Sequence, residues 1–89
     1  MALFLVAYDL RKAGQNYDGL IGTLESFGYH RRIQQSLWAV QWAGTAQSLI
    51  DYLSPLIDGN DLLFVSELGD DFAVFKKRRD VSALLAAYL

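Results

Sequence analysis

The chain has 89 residues, of which 53% are hydrophobic, with one proline and a formal net charge of −2 at pH 7. This length predicts one domain over residues 1–89, and the apolar content excludes an intrinsically disordered chain. The sequence contains no cysteine, which excludes a disulfide framework and favours a reducing cytoplasm, and its longest apolar run, residues 2–8, is too short for a membrane anchor.

The first elements in the chain are a strand and a helix. The continuously apolar run Leu3 to Tyr8 predicts a strand that is buried on both faces, is central in a sheet and ends at Asp9. Asn16 is a candidate helix cap and Gly28 a candidate stop. The apolar side of this helix would carry five residues: Tyr17, Leu20, Ile21, Leu24 and Phe27.

Two strands are predicted next. Segment 29–35 alternates loosely and segment 37–42 is aromatic and β-branched, which is typical of two strands meeting near Gln35 and Ser36 or of one long bulged strand. We favour the hairpin.

A second helix and a further strand follow. Thr45 is a credible N-cap, and Pro55 ends or kinks the helix because proline has no backbone N–H. After the turn at residues 58–61, segment 62–65 predicts a strand. The apolar stripe of this helix consists of Ala46, Leu49, Ile50 and Leu53.

The C-terminal part predicts an extra strand at residues 72–75 and a short tail helix capped by Asp80. The whole order indicates an α+β protein with the ferredoxin-like β-α-β-β-α-β arrangement plus these two additions. Such a sheet carries both helices on one face. Because its strands are apolar, the open face favours a homodimer interface.

Asp9 is the most informative candidate for chemistry. Common catalytic motifs are missing, and the single His30 is more typical of a surface residue than of a catalytic base. A carboxylate held at the end of a rigid strand suits a metal ligand such as one for Mg²⁺, although it is also typical of a residue that caps a turn. In a homodimer a two-fold axis near Asp9 would bring a second carboxylate, and without a cation the two would repel.

Three segments carry a resemblance to a known family. Val6-Ala7-Tyr8-Asp9-Leu10, the helix end Phe27-Gly28-Tyr29 and the run 31–38, with its sequence RRIQQSLW, resemble the family of CRISPR-associated protein two. The likeness covers residues 2–40 well and, from there to Val65, only the order of elements. Virulence-associated protein D ribonucleases share the expected fold.

The resemblance implies a homodimer in which the extra C-terminal strand packs on the neighbouring subunit. It also implies binding of nucleic acid and, in several members, a metal-dependent nuclease that uses the aspartate at the position of Asp9. Here Leu10-Arg11-Lys12 follows that aspartate in place of further acidic or Ser/Thr residues, Trp38 stands in place of phenylalanine, and the total charge is acidic. These departures favour a divergent, stand-alone relative over a part in spacer acquisition.

The cations form two candidate phosphate sites. Arg31 and Arg32 are neighbours on a predicted strand, so at most one of them faces a ligand. The alternative for each arginine is to pair with a carboxylate or to lie over an aromatic ring. Ser36 would contact phosphate or sugar, or satisfy the hairpin end. The second site is a run that otherwise serves as a solvated face: Lys76, Lys77, Arg78 and Arg79.

Aromatic side chains offer a further route to nucleic acid, because single-strand binders stack bases on them. Core and dimer packing would use most of them, and Trp42, near the end of its strand, is the best candidate. The set comprises Tyr8, Trp38, Trp42, Phe64, Phe72 and Phe75.

We therefore predict a small homodimeric protein that binds nucleic acid or nucleotides, with Mg²⁺-dependent endonuclease activity on RNA or DNA as its enzymatic form. Two alternatives stay open: a non-catalytic dimerisation or protein-binding module, and a protein that sequesters small nucleotides. Metal dependence separates the nuclease from the non-catalytic module. Nucleotide binding separates the non-catalytic module from the nucleotide-sequestering protein.

Overall fold

The computed structural model describes residues 2–10, 17–71 and 73. In this part of the chain four strands and two helices follow one another in the predicted order β-α-β-β-α-β. A single turn of 3-10 helix at Ser54–Leu56 follows the second helix. Their bounds are β1 (Ala2–Asp9), α1 (Asp18–Ser26), β2 (His30–Gln34), β3 (Leu37–Trp42), α2 (Ala46–Leu53) and β4 (Leu62–Glu67).

The four strands form one antiparallel sheet with the order β2-β3-β1-β4. The strand β1 is central, as its apolar sequence predicts, and β2 and β4 are the outer strands of the described sheet. The observed class is therefore a small α+β fold with an open four-stranded sheet. Of the extra strand predicted at residues 72–75 only residue 73 is among the described residues, and the tail helix lies outside them.

Both helices pack on one face of the sheet. Alternate residues of β1, Phe4, Val6 and Tyr8, share a buried cluster with leucines from α1 and α2. The leucines, all fully buried, are Leu20, Leu24, Leu49 and Leu53. This shared burial is the hydrophobic contribution that fixes the helices against the sheet.

The other face of the sheet carries the intervening residues, and it is apolar too. Leu3 and Ala39 are buried there in a second cluster with Ile33 and Leu68. At the β4 side of the same face, Phe64 and Leu62 are 65% and 52% exposed. We call this surface, on the side away from the helices, the open face.

Local chemistry explains the start of α2. Thr45 Oγ1 accepts from the Ser48 backbone N–H at 3.1 Å, and Ser48 Oγ accepts from the Thr45 backbone N–H at 2.9 Å. This reciprocal capping box satisfies two donors that a helix start would otherwise leave unpaired. The N-cap predicted at Thr45 is confirmed, and α2 ends at Leu53, two residues before Pro55.

The ends of α1 differ from the prediction. Tyr17 occupies the N-cap position without a side-chain cap, one residue after the predicted Asn16, which itself lies outside the described residues. Phe27 is extended, with φ −66° and ψ 150°, so the helix ends before this residue rather than at a left-handed glycine. The helix therefore ends one residue before the predicted Phe27, which is its C-cap, and Gly28 follows in the predicted C′ position without a left-handed backbone.

The β2-β3 hairpin is confirmed, with the turn at Gln35 and Ser36 and a register shift between Arg32 and Gln34. Among the described residues no helix is long and apolar enough to cross a membrane.

Candidate functional site

Asp9 lies at the tip of the central strand. It is the last residue of β1, is exposed, and stands opposite Leu62 of β4. A shallow cavity of about 210 Å³ opens beside it, between the ends of the two strands. The cavity is lined by Ala7, Tyr8, Asp9, Leu62, Leu63 and Phe64.

The described part of one copy does not assemble a magnesium site around Asp9. It contains no group of three or more His, Cys, Asp or Glu side chains placed to hold a metal ion. Magnesium prefers octahedral oxygen ligands and is usually bound by one or two carboxylates together with waters and substrate phosphates. One copy offers the single carboxylate of Asp9 here, and waters and substrate phosphates would complete the coordination of Mg²⁺. The turn that it would otherwise cap, at residues 11–15, lies outside the described residues.

The two neighbouring arginines lie on opposite faces of the sheet, as expected for consecutive strand residues. Arg32 pairs with Trp38 and faces the helices, whereas Arg31 pairs with Ala39 on the open face. The Nε of Arg31 is buried and finds no hydrogen-bond partner in the described residues. The two cations therefore cannot form one phosphate-binding patch.

Arg32 is occupied by its own hairpin. Its Nε and Nη2 donate to the backbone carbonyl of Gln35 at 3.1 and 2.8 Å, and its guanidinium lies 5.3 Å from the centre of the Trp38 ring. The Tyr8 hydroxyl donates to the same carbonyl at 3.2 Å. Arg32 thus has the structural role that was the alternative to phosphate binding, because it lies over an aromatic ring.

The β2-β3 turn and Asp9 lie at the same end of the sheet. The Tyr8 backbone N–H donates to the carbonyl of Ser36 at 3.1 Å, which places the exposed Ser36 beside the last residues of β1. Of the predicted site residues, the fold brings Asp9 and Ser36 to this end and puts Arg31 on the open face. Residues 76–79, the predicted basic run, lie outside the described residues.

His30 has a structural partner. Its Nδ1 lies 3.1 Å from the carbonyl of Phe27, and its ring lies 6.3 Å from that of Trp38. The side chain is half-buried at the start of β2.

The candidate stacking residues divide between core, open face and surface. Tyr8 and Trp38 are buried, and the indole N–H of Trp38 donates to the Tyr8 hydroxyl at 3.2 Å. Phe64 is exposed on the open face. Trp42 lines a larger surface cleft, while Phe72 and Phe75 lie outside the described residues.

This cleft is the feature that the sequence analysis missed. It has a volume of about 590 Å³, and three aromatic rings form its walls: Phe27 after α1, Trp42 at the end of β3 and Tyr52 in the last turn of α2. The centres of the Trp42 and Tyr52 rings are 5.2 Å apart, and Phe27 lies 5.9 Å from Trp42 and 6.2 Å from Tyr52. We call it the aromatic cleft. Its lining is completed by Ser26, Gly28, Gln41, Ala43 and Gly44.

A signal for part of the cleft was present in the sequence. Trp42 is followed by Ala43-Gly44-Thr45, so an aromatic strand end runs directly into a helix cap through two small residues. Tyr52 gave no comparable signal, because it reaches Trp42 only through the packing of α2 on the sheet.

Comparison of the chain with protein-family models, with curated proteins and with solved structures finds no match. The resemblance to CRISPR-associated protein two therefore rests on the sequence segments quoted above.

Proposed function

We propose that this chain is a ferredoxin-like protein that works as a homodimer and binds nucleic acid or nucleotides. The observation that carries the proposal is the exposure of Phe64 and Leu62 on an apolar open face next to Asp9. The ferredoxin-like assignment is supported by the strand order β2-β3-β1-β4 and by two helices that pack on one face.

Exposed apolar side chains that adjoin an already apolar surface mark an interaction site. Phe64 stands opposite Ala7, and Leu62 stands opposite Asp9, so the exposed residues continue the open face toward the tip of β1. Removal of water from both side chains on association would stabilise the complex.

A second copy of the chain is the partner that suits this surface. A two-fold interface joins the same patch on both subunits, and an apolar patch is complementary to itself. Asp9 borders the patch, so pairing around this end would bring two carboxylates toward one another. Such a pair favours a shared divalent cation, because two carboxylates alone would repel.

The nucleic-acid part of the proposal is supported by Ser36 and by the sequence resemblance. Ser36 is exposed beside the end of β1. Arg31 lies on the open face opposite Ala39, and its buried Nε finds no hydrogen-bond partner in the described residues. Metal-dependent cleavage of RNA or DNA is proposed for a dimer that pairs the two Asp9 carboxylates, since two carboxylates hold Mg²⁺ more firmly than one.

Sedimentation velocity tests the dimer. We expect the unmodified protein to sediment as a dimer at micromolar concentration and the Phe64→Asp variant to sediment as a monomer with unchanged circular dichroism. The matched control is Tyr52→Asp, since Tyr52 is another exposed aromatic residue, at 52%, but lies on the helix side. A monomeric unmodified protein, or a Phe64→Asp variant that stays dimeric, would contradict the proposal.

A separate assay tests the metal-dependent activity. Labelled single- and double-stranded RNA and DNA are incubated with the protein and Mg²⁺ or Mn²⁺, with and without EDTA. Cleavage that requires the metal and is lost in Asp9→Asn, but not in the exposed-site control Asp51→Asn, supports a nuclease. Metal-independent binding without cleavage assigns a nucleic-acid-binding protein, and the absence of both leaves only the dimerisation module.

A further inference from the structure

We infer that the aromatic cleft binds a nucleobase, presented by a free nucleoside or by single-stranded nucleic acid. This deepens the proposed binding of nucleotides by naming the place that takes the base. The cleft lies at the Trp42 end of the sheet, where Ala2 pairs with Trp42, whereas Asp9 and Leu62 pair at the other end. Seven strand steps of about 3.3 Å separate the two ends by roughly 23 Å.

The composition of the cleft decides the class of ligand. Three aromatic rings line it, and the eight lining residues within the described part of the chain include no Lys, Arg, Asp, Glu or His. A phosphate would need a cation there, and a metal ion would need carboxylates or imidazoles. An uncharged planar ring fits, because it gains from stacking and requires no counter-charge.

One polar side chain in the lining, that of Gln41, has the functionality that a base edge requires. The Gln41 side chain offers both a donor and an acceptor, and amide side chains pair with the edges of bases in this way. Gln41 lies against Gly28, where an added Cβ would stand 3.1 Å from its Oε1. A volume of about 590 Å³ is within the range of about 300–1,000 Å³ that small-molecule sites occupy.

The Trp42 ring is held in place before any ligand arrives. Its Nε1–H donates to Ser48 Oγ at 2.9 Å, and Ser48 Oγ in turn donates to the Thr45 carbonyl at 2.9 Å. The capping box of α2 therefore orients the indole. Gly44 makes room for this bond, since a Cβ at that position would lie 2.8 Å from Trp42 Nε1 and closer still to Ser48 Oγ.

A fixed, half-exposed aromatic wall is a preorganised stacking surface. Ordering that is already present in the free protein does not oppose binding, so a rigid ring binds more tightly than a mobile one. Tyr52, half exposed, adds a second ring at 5.2 Å from Trp42.

The test uses the full chain and two probes, adenosine and a short single-stranded oligo(dA). Binding is followed by chemical-shift changes of the Trp42 indole N–H, with Tyr52→Ser as the test variant and Tyr52→Phe as the matched control that keeps the ring. We expect saturable binding that weakens about tenfold in Tyr52→Ser, because one base–aromatic stack is lost. Tyr52→Phe keeps the ring and should bind as tightly as the unmodified protein.

The outcomes separate the sources and the claims. If adenosine binds and Tyr52→Ser weakens that binding, a free nucleoside is a sufficient ligand of the cleft. If only the oligonucleotide binds and Tyr52→Ser weakens that binding, the ligand is single-stranded nucleic acid. The inference would be overturned if neither probe saturated the protein, or if tetramethylammonium bound and the two probes did not. It would also be overturned if Tyr52→Ser bound the probes as tightly as the unmodified protein does. Adenosine carries no phosphate, so its binding does not depend on the Asp9 chemistry. The Phe64→Asp variant keeps the aromatic cleft, so its binding of adenosine is measured whether or not the protein forms a dimer.

Discussion

The indole N–H of Trp38 donates to the hydroxyl of Tyr8 at 3.2 Å, and both side chains are buried between the sheet and the helices. The same hydroxyl donates to the carbonyl of Gln35, which Arg32 also contacts. The tyrosine that precedes Asp9 in the sequence thus joins β1 to the hairpin turn. Its role in the described structure is to hold the end of the sheet that carries Asp9.

This relationship predicts the effect of removing one oxygen atom. In Tyr8→Phe the buried indole N–H and the Gln35 carbonyl each lose a partner, so we expect the free energy of unfolding to fall by about 1–3 kcal/mol. Urea unfolding followed by tryptophan fluorescence measures it. Tyr52→Phe, at a half-exposed ring, is the matched control and should change stability little; equal effects in both variants would contradict this role.

Asp61 is a buried carboxylate that joins two loops. It accepts from the Tyr17 hydroxyl at 3.0 Å through Oδ1 and from the Asp58 backbone N–H at 2.8 Å through Oδ2. We expect Asp61→Ala to lower the free energy of unfolding by about 1–3 kcal/mol, because two donors lose their acceptor. Tyr17→Phe should cost about 1 kcal/mol, and the double variant should cost less than the sum. An additive double variant would show that the pair does not interact.

Gly44 is required by the Trp42–Ser48 hydrogen bond. We expect Gly44→Ala to destabilise the protein by about 1–3 kcal/mol, since its Cβ has no space beside Ser48 Oγ and Trp42 Nε1. Gly59→Ala is the control, because a Cβ there meets nothing within 4 Å. Thermal unfolding compares the two variants, and a Gly44→Ala protein as stable as the control would remove this constraint on the indole.

The two arginines should respond differently to substitution. Arg32→Gln removes two hydrogen bonds to the Gln35 carbonyl and the stacking on Trp38, so we expect stability to fall by about 1–2 kcal/mol. Arg31→Gln removes a charge whose buried Nε finds no partner in the described residues, so we expect little loss or a gain. Denaturant midpoints of the two variants give the comparison, and a larger loss for Arg31→Gln would reverse the assigned roles.

The element order was predictable because local patterns determine it. The apolar run of β1, the spacing of leucines in α2 and the Thr45 cap are each set by residues close in sequence. The end of α1 was not, because Phe27 has the right spacing for the helix but contacts Trp42 and Tyr52, which are distant in sequence.

The candidate site was predictable only in part. The position of Asp9 follows from the strand that it ends, and the separation of Arg31 from Arg32 follows from strand alternation. The occupation of Arg32 by the Gln35 carbonyl depends on the turn geometry, and the aromatic cleft depends on how α2 lies against β3. Neither is encoded in the spacing of residue types.

The central claim is that two copies meet with their Asp9 ends together. Because the natural sequence has no cysteine, Asp9→Cys introduces a single thiol per chain, and a short bis-maleimide reports whether two such thiols lie close. The exposed Asp51 of α2, replaced in Asp51→Cys, is the matched control on the helix side. The account predicts efficient cross-linked dimer for Asp9→Cys and little for Asp51→Cys, with loss of cross-linking when Phe64→Asp is added. Unlinked Asp9→Cys, or equal linking of both variants, would contradict it.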